Sequence, residues 1–83
     1  MHRACALRRA TAVPSGPIPI RMSNRTAERV VGRCPASGVI YVSDELELES
    51  TCYELLLTTT QATYAHDLRV LDAIRASVVI TDD

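Results

Sequence analysis

Two apolar runs of this chain end in acids. Val39-Ile40-Tyr41-Val42 leads into Ser43-Asp44-Glu45, and Val78-Val79-Ile80 leads into Thr81-Asp82-Asp83. In open α/β sheets ligands bind beyond the carboxyl ends of strands, and paired carboxylates there can hold Mg²⁺ with part of its water shell retained. A divalent-metal hydrolase or nucleotide site would therefore rest on Asp44, Glu45, Asp82 and Asp83. The rest of that chemistry is missing, because there is no GxxxxGK[ST] loop and no Lys to neutralise a phosphate. The plainer reading is that these acids solubilise strand ends and cap the element that follows.

Cys34, Cys52, His2 and His66 are four nominal zinc ligands. If Cys52 and His66 share one helix, a rise of 1.5 Å per residue places them about 21 Å apart. Ligands of one zinc ion lie ~2.0 to 2.3 Å from it. Cysteine-histidine catalysis fares no better: Glu47, Glu49 and Glu54 surround Cys52 in sequence and disfavour a thiolate. His66 and Asp67, as helical neighbours, point to different faces and do not form an orienting pair. Neither a metal nor a cofactor is expected, and the chain is expected not to be an enzyme.

Charge is sorted by position. Residues 1–33 hold seven Arg against one acid, and residues 34–83 hold nine acids against two Arg, so a net charge of -1 conceals two opposed local fields. Arg3, Arg8, Arg9, Arg21 and Arg25 are expected to lie on a basic arm, with nucleic-acid phosphates as the lesser of its expected partners. The same composition suits an organelle transit peptide. Three widely spaced Cys are neither a disulfide framework nor a CxxC pair, which favours a reducing compartment. Location is therefore expected to be cytoplasmic, or an organelle matrix if residues 1–33 are a transit peptide. No run approaches the ~18 to 20 apolar residues of a membrane span.

The elements that must position these residues are few, since 83 residues permit one domain. The expected fold class is α+β: a disordered basic arm over 1–33, then a small body over 34–83. Pro14-Ser15-Gly16-Pro17-Ile18-Pro19 reads as an extended link, and Ser23 or Asn24 as the cap of a short helix through Val31. Val39 to Val42 predicts one short strand, and Glu45-Leu46-Glu47-Leu48-Glu49 alternates like a strand with one wet face. Thr51-x-x-Glu54 before Leu55-Leu56-Leu57 matches a capping box, and Leu57, Tyr64, Leu71 and Val78 recur every seven residues with Leu68 and Ile74 between them. This spacing predicts one long amphipathic helix over about 52–76, bent or split at Thr58-Thr59-Thr60. Val78 to Thr81 reads as a possible last strand, parallel to the first through a right-handed crossover.

Gln61 to Leu71 contains Gln61, Tyr64 and Val70 in the positions of a Q-R-A-Y-x-A-N-x-K-V-I pattern, with Arg69 and Leu71 as conservative replacements and His66-Asp67 in place of Ala-Asn. In this it resembles the C-terminal helix of bacterial flagellar rod and hook proteins, which implies a structural or assembly role. With no Phe or Trp, the body has little large apolar area with which to close its own core. The expectation is a small interaction module that self-associates or docks on a protein partner through Leu57, Tyr64, Leu68, Leu71, Ile74 and Val78.

Overall fold

The computed structural model describes residues 13–81. They form four ten-residue strands and one helix: β1 (Val13–Met22), β2 (Arg25–Cys34), β3 (Val39–Leu48), β4 (Thr51–Thr60) and α1 (Tyr64–Ser77). The strands make one antiparallel sheet in the order β1-β2-β3-β4, with β1 and β4 as its edges.

This architecture overturns most of the expected fold. Residues 13–33 are not a disordered arm but the first hairpin, and the helix predicted over 52–76 is β4 followed by the shorter α1. The single short strand at Val39 to Val42 is the first part of a strand that runs through the Glu-Leu alternation to Leu48. Residues 78–81 join no strand, so there is no parallel crossover.

Local chemistry accounts for each correction. In β1, Ile18, Ile20 and Met22 alternate with Pro19 and Arg21, a period of two, and its prolines sit on an edge strand, where a missing N–H costs least. Ser23 and Asn24 do not cap a helix; both have positive φ, 53° and 61°, and close a two-residue hairpin turn between Met22 and Arg25. At Thr51, three β-branched residues later in the strand and pairing along all of β3 outweigh the capping-box pattern. Between β2 and β3 the chain reverses through Gly38, at φ +76°, whose N–H donates to the Cys34 carbonyl at 2.8 Å.

The helix lies on one face of the sheet. Val31, Ile40, Val42 and Leu71 form one buried cluster, with Leu55, Leu57, Tyr64 and Leu68 packed against it. Met22, Ala27 and Leu46 form a second, covered by Ile20, Leu48, Leu55, Val78 and Ile80. Full burial of an aliphatic side chain is worth about 1.5 to 3 kcal/mol; Leu71 is the one buried residue of α1, and the half-buried Tyr64 and Leu68 add to the apolar contact that holds the helix on the sheet.

Candidate functional site

Strand alternation puts Arg29 and Asp44 on the face that α1 covers. The two residues are directly paired across β2 and β3, in the middle of the apolar clusters. Asp44 is fully buried. A carboxylate there needs a cation, and Arg29 supplies one through Nε–H to Oδ1 at 2.6 Å and Nη2–H to Oδ2 at 2.8 Å. From the helix, Asp72 accepts a further bond from Arg29 Nη2 at 2.7 Å, and Arg75 lies 3.6 Å from Asp72 and 4.0 Å from Asp44. Hydrogen bonding to Asp44 outweighs desolvation and holds the Arg29 guanidinium even more firmly protonated than an ordinary arginine.

The four charges tie helix to sheet, although Arg75 Nε is buried without a hydrogen-bond partner and Arg75 Nη1 donates outside the group, to the Arg21 carbonyl. A second tie joins the segment after α1 to the first hairpin turn. Ile80 N–H donates to Ser23 Oγ at 2.8 Å, and Arg25 Nη1 donates to the Ile80 and Ser23 carbonyls at 3.1 and 3.2 Å. Next to it, a cavity of about 400 Å³ is lined by Arg21, Ser23, Asn24, Arg75, Ala76, Val78 and Val79. Its two guanidiniums already donate to the Asn24 and Arg21 carbonyls.

At the start of α1, Thr59 and Thr63 both donate to Asp67 Oδ2, at 2.7 and 2.9 Å. These bonds hold the Asp67 carboxyl below its usual range, Thr59 first and Thr63 second, with a smaller contribution from His66.

Along the outer edge of the sheet runs an apolar groove of about 160 Å³, lined by Leu56, Leu57, Asp67, Val70, Leu71 and Ile74. Leu56, Val70 and Ile74 are each nearly half exposed, whereas the pleat turns Leu55 and Leu57 toward the interior. Of the six residues expected to meet a partner, Leu71 is in the core, Leu57, Tyr64 and Leu68 pack against it, and Val78 packs against the second cluster. Ile74 is the one that faces outward, at 48% exposure.

The basic residues expected on an arm divide in the same way. Arg21 and Arg25 belong to the first hairpin, while Arg3, Arg8 and Arg9 lie outside the described residues. Asp82, Asp83 and His2, named for metal chemistry, also lie outside them, and Asp44 is held by Arg29. Among the described residues no group of three or more His, Cys, Asp or Glu is placed to hold a metal ion. No described helix is long and apolar enough to cross a membrane.

Sequence reasoning passed over Arg29, Asp72 and Arg75. The signal was present: in a strict alternation Asp44 falls in line with Ile40, Val42 and Leu46, and Arg29 falls between Ala27 and Val31. An acid and a base each interrupting an apolar face call for one another. No family model matches the chain, and no curated protein or solved structure matches it. The likeness of Gln61 to Leu71 to the flagellar rod and hook helix thus has no family match behind it.

Proposed function

We propose that this protein is a small non-enzymatic interaction module that associates with a second copy of itself along the outer edge of β4 and the groove beside it. The observation that carries this reading is the unequal treatment of the two sheet edges. The β1 edge is blunted by Pro14, Pro17 and Pro19 and by an irregularity between Ser15 and Ile18. The β4 edge has ten residues with no Pro and no Lys, in register with β3 from Thr51 to Thr60. Beside it stand Leu56, Val70 and Ile74. Natural sheets protect edges that are not used, and an open edge flanked by apolar side chains favours strand addition. Two β4 strands meeting antiparallel would form a closed, two-fold contact.

Light scattering on the full chain tests this. The expected result is twice the chain mass at micromolar concentration, falling to the single-chain mass for Leu56→Lys/Ile74→Glu. Both residues are exposed, so the variant should keep its circular dichroism spectrum. A single-chain mass for the unsubstituted protein at millimolar concentration would remove the proposal.

A further inference from the structure

The cavity of about 400 Å³ between the first hairpin turn and the end of α1 has two guanidiniums on its walls, Arg21 from β1 and Arg75 from the last turn of the helix. Its lining contains no carboxylate. Ala76, Val78 and Val79 give it an apolar side, and Val79 is 80% exposed. β1 is the sheet edge opposite β4, and the cavity shares no residue with the self-association surface.

Both guanidiniums have donors to spare. A guanidinium carries five N–H groups. Arg21 commits two of them, to Thr26 Oγ1 at 3.3 Å and to the Asn24 carbonyl at 2.8 Å, and it makes no ion pair among the described residues. Arg75 commits one, to the Arg21 carbonyl. Arg29 takes the short bonds to Asp44 and Asp72, which leaves Arg75 at 4.0 and 3.6 Å from those carboxylates with its Nε unbonded. Within that group two cations offset two anions, so the charge of Arg21 stands uncompensated on the cavity wall. Free carbonyls at a helix end disfavour an anion, but those of Ile74 and Arg75 already accept bonds, from Ser77 Oγ–H at 2.7 Å and the Val78 N–H at 3.2 Å.

We propose that this cavity binds the phosphate monoester of a small apolar group. Arg21 and Arg75 come from different elements, and a tetrahedral phosphate can accept donors from two directions, whereas a planar carboxylate matches one guanidinium fork. The Asn24 carboxamide lines the same cavity, makes no hydrogen bond with the described residues, and adds a neutral donor. A volume of about 400 Å³ falls in the range of small-molecule sites and leaves room beyond the phosphate itself. Ala76, Val78 and Val79 bound that remaining space, which suits an apolar substituent. Ser23 Oγ is already engaged with the Ile80 N–H and serves to hold the turn.

Calorimetric titration of the full chain with phenyl phosphate tests this, at low salt and about pH 7.5, where a monoester with a second pKa of ~6 is a dianion. The expected result is saturable binding of one ligand per chain with a Kd of about 1 mM or below, inorganic phosphate binding about tenfold more weakly and benzoate more weakly again. Arg21→Gln should weaken phenyl phosphate about tenfold, the loss of one charge-assisted contact. Arg21 is exposed and outside the Arg29–Asp44 group, so this variant should keep its Tm, whereas Arg75→Gln should weaken binding and lower the Tm together. Arg69→Gln removes the same charge from an exposed position of α1 outside the cavity and should leave the Kd unchanged. Val79→Ser should narrow the gap between phenyl phosphate and inorganic phosphate to about threefold. No saturation by about 20 mM phenyl phosphate, or equal losses for Arg21→Gln and Arg69→Gln, would overturn the site. Inorganic phosphate binding as tightly as phenyl phosphate would overturn its assignment to a monoester.

Discussion

Asp67 is the clearest titrating group of the described residues. Hydrogen bonds from Thr59 and Thr63 depress its folded-state pKa, so the stabilisation they bring is full above the unfolded value of ~3.9 and is lost as pH falls through the folded value. The Tm of the protein should therefore exceed that of Asp67→Asn at pH 6, with the gap closing below about pH 4. Melting curves between pH 6 and pH 3 check this, and a gap that widens on acidification would reverse the assignment. Arg29 and Asp44 present the opposite case, a pair whose partners are nearly out of water, at 11% and 0% side-chain exposure. Removing one member of such a pair costs about 3 to 5 kcal/mol, whereas replacing both with apolar groups is often close to neutral. Asp44→Leu alone should thus destabilise far more than Arg29→Met/Asp44→Leu, and urea unfolding of Arg29→Met, Asp44→Leu and the double variant measures the coupling. Near-additive losses would mean that Asp72 and Arg75 hold the site without the pair.

At the scale of elements, the hairpin turns store what strain the described backbone holds. Glu49 has φ 55° in the two-residue turn between Leu48 and Thr51, a left-handed conformation that favours Gly. Glu49→Gly should stabilise the protein by about 0.5 to 1 kcal/mol, seen as a higher urea midpoint with an unchanged slope. The same turns show how much of the fold was legible. The Glu-Leu alternation announced the second half of β3, and Tyr64 to Val78 announced a helix face, because each pattern had one period along its whole length. Residues 51–60 did not, since Thr51-x-x-Glu54 imitates a helix start and Leu57 happens to fall seven residues before Tyr64. The first hairpin was hidden by its prolines, which read as a linker until one sees that β1 lies on an edge. Of the candidate site, Asp44 was noticed for its acidity and missed for its place in an apolar row. Arg29 was counted as part of a basic arm when pairing with Asp44 makes it part of the core.

At the scale of the molecule, the described residues are poor in core. Two small clusters of buried apolar residues support about 69 described positions, and α1 joins the first cluster through the buried Leu71 with Tyr64 and Leu68 packed beside it. At about 0.05 to 0.15 kcal/mol per residue such a domain holds roughly 3 to 10 kcal/mol, and a buried Leu→Ala change removes about 2 to 5. Leu71→Ala should therefore leave a substantial unfolded fraction in dilute solution. If β4 pairs with a second copy as proposed, folding of that variant is coupled to association. Each tenfold rise in protein concentration then favours the folded dimer by about 1.4 kcal/mol. Circular dichroism of Leu71→Ala from about 1 to 100 micromolar should show structure returning with concentration, and adding Leu56→Lys/Ile74→Glu to it should abolish that recovery. Recovery that survives the edge substitutions would move the association surface elsewhere on the molecule. A concentration-independent unfolded fraction would mean that the two small clusters stabilise each chain alone.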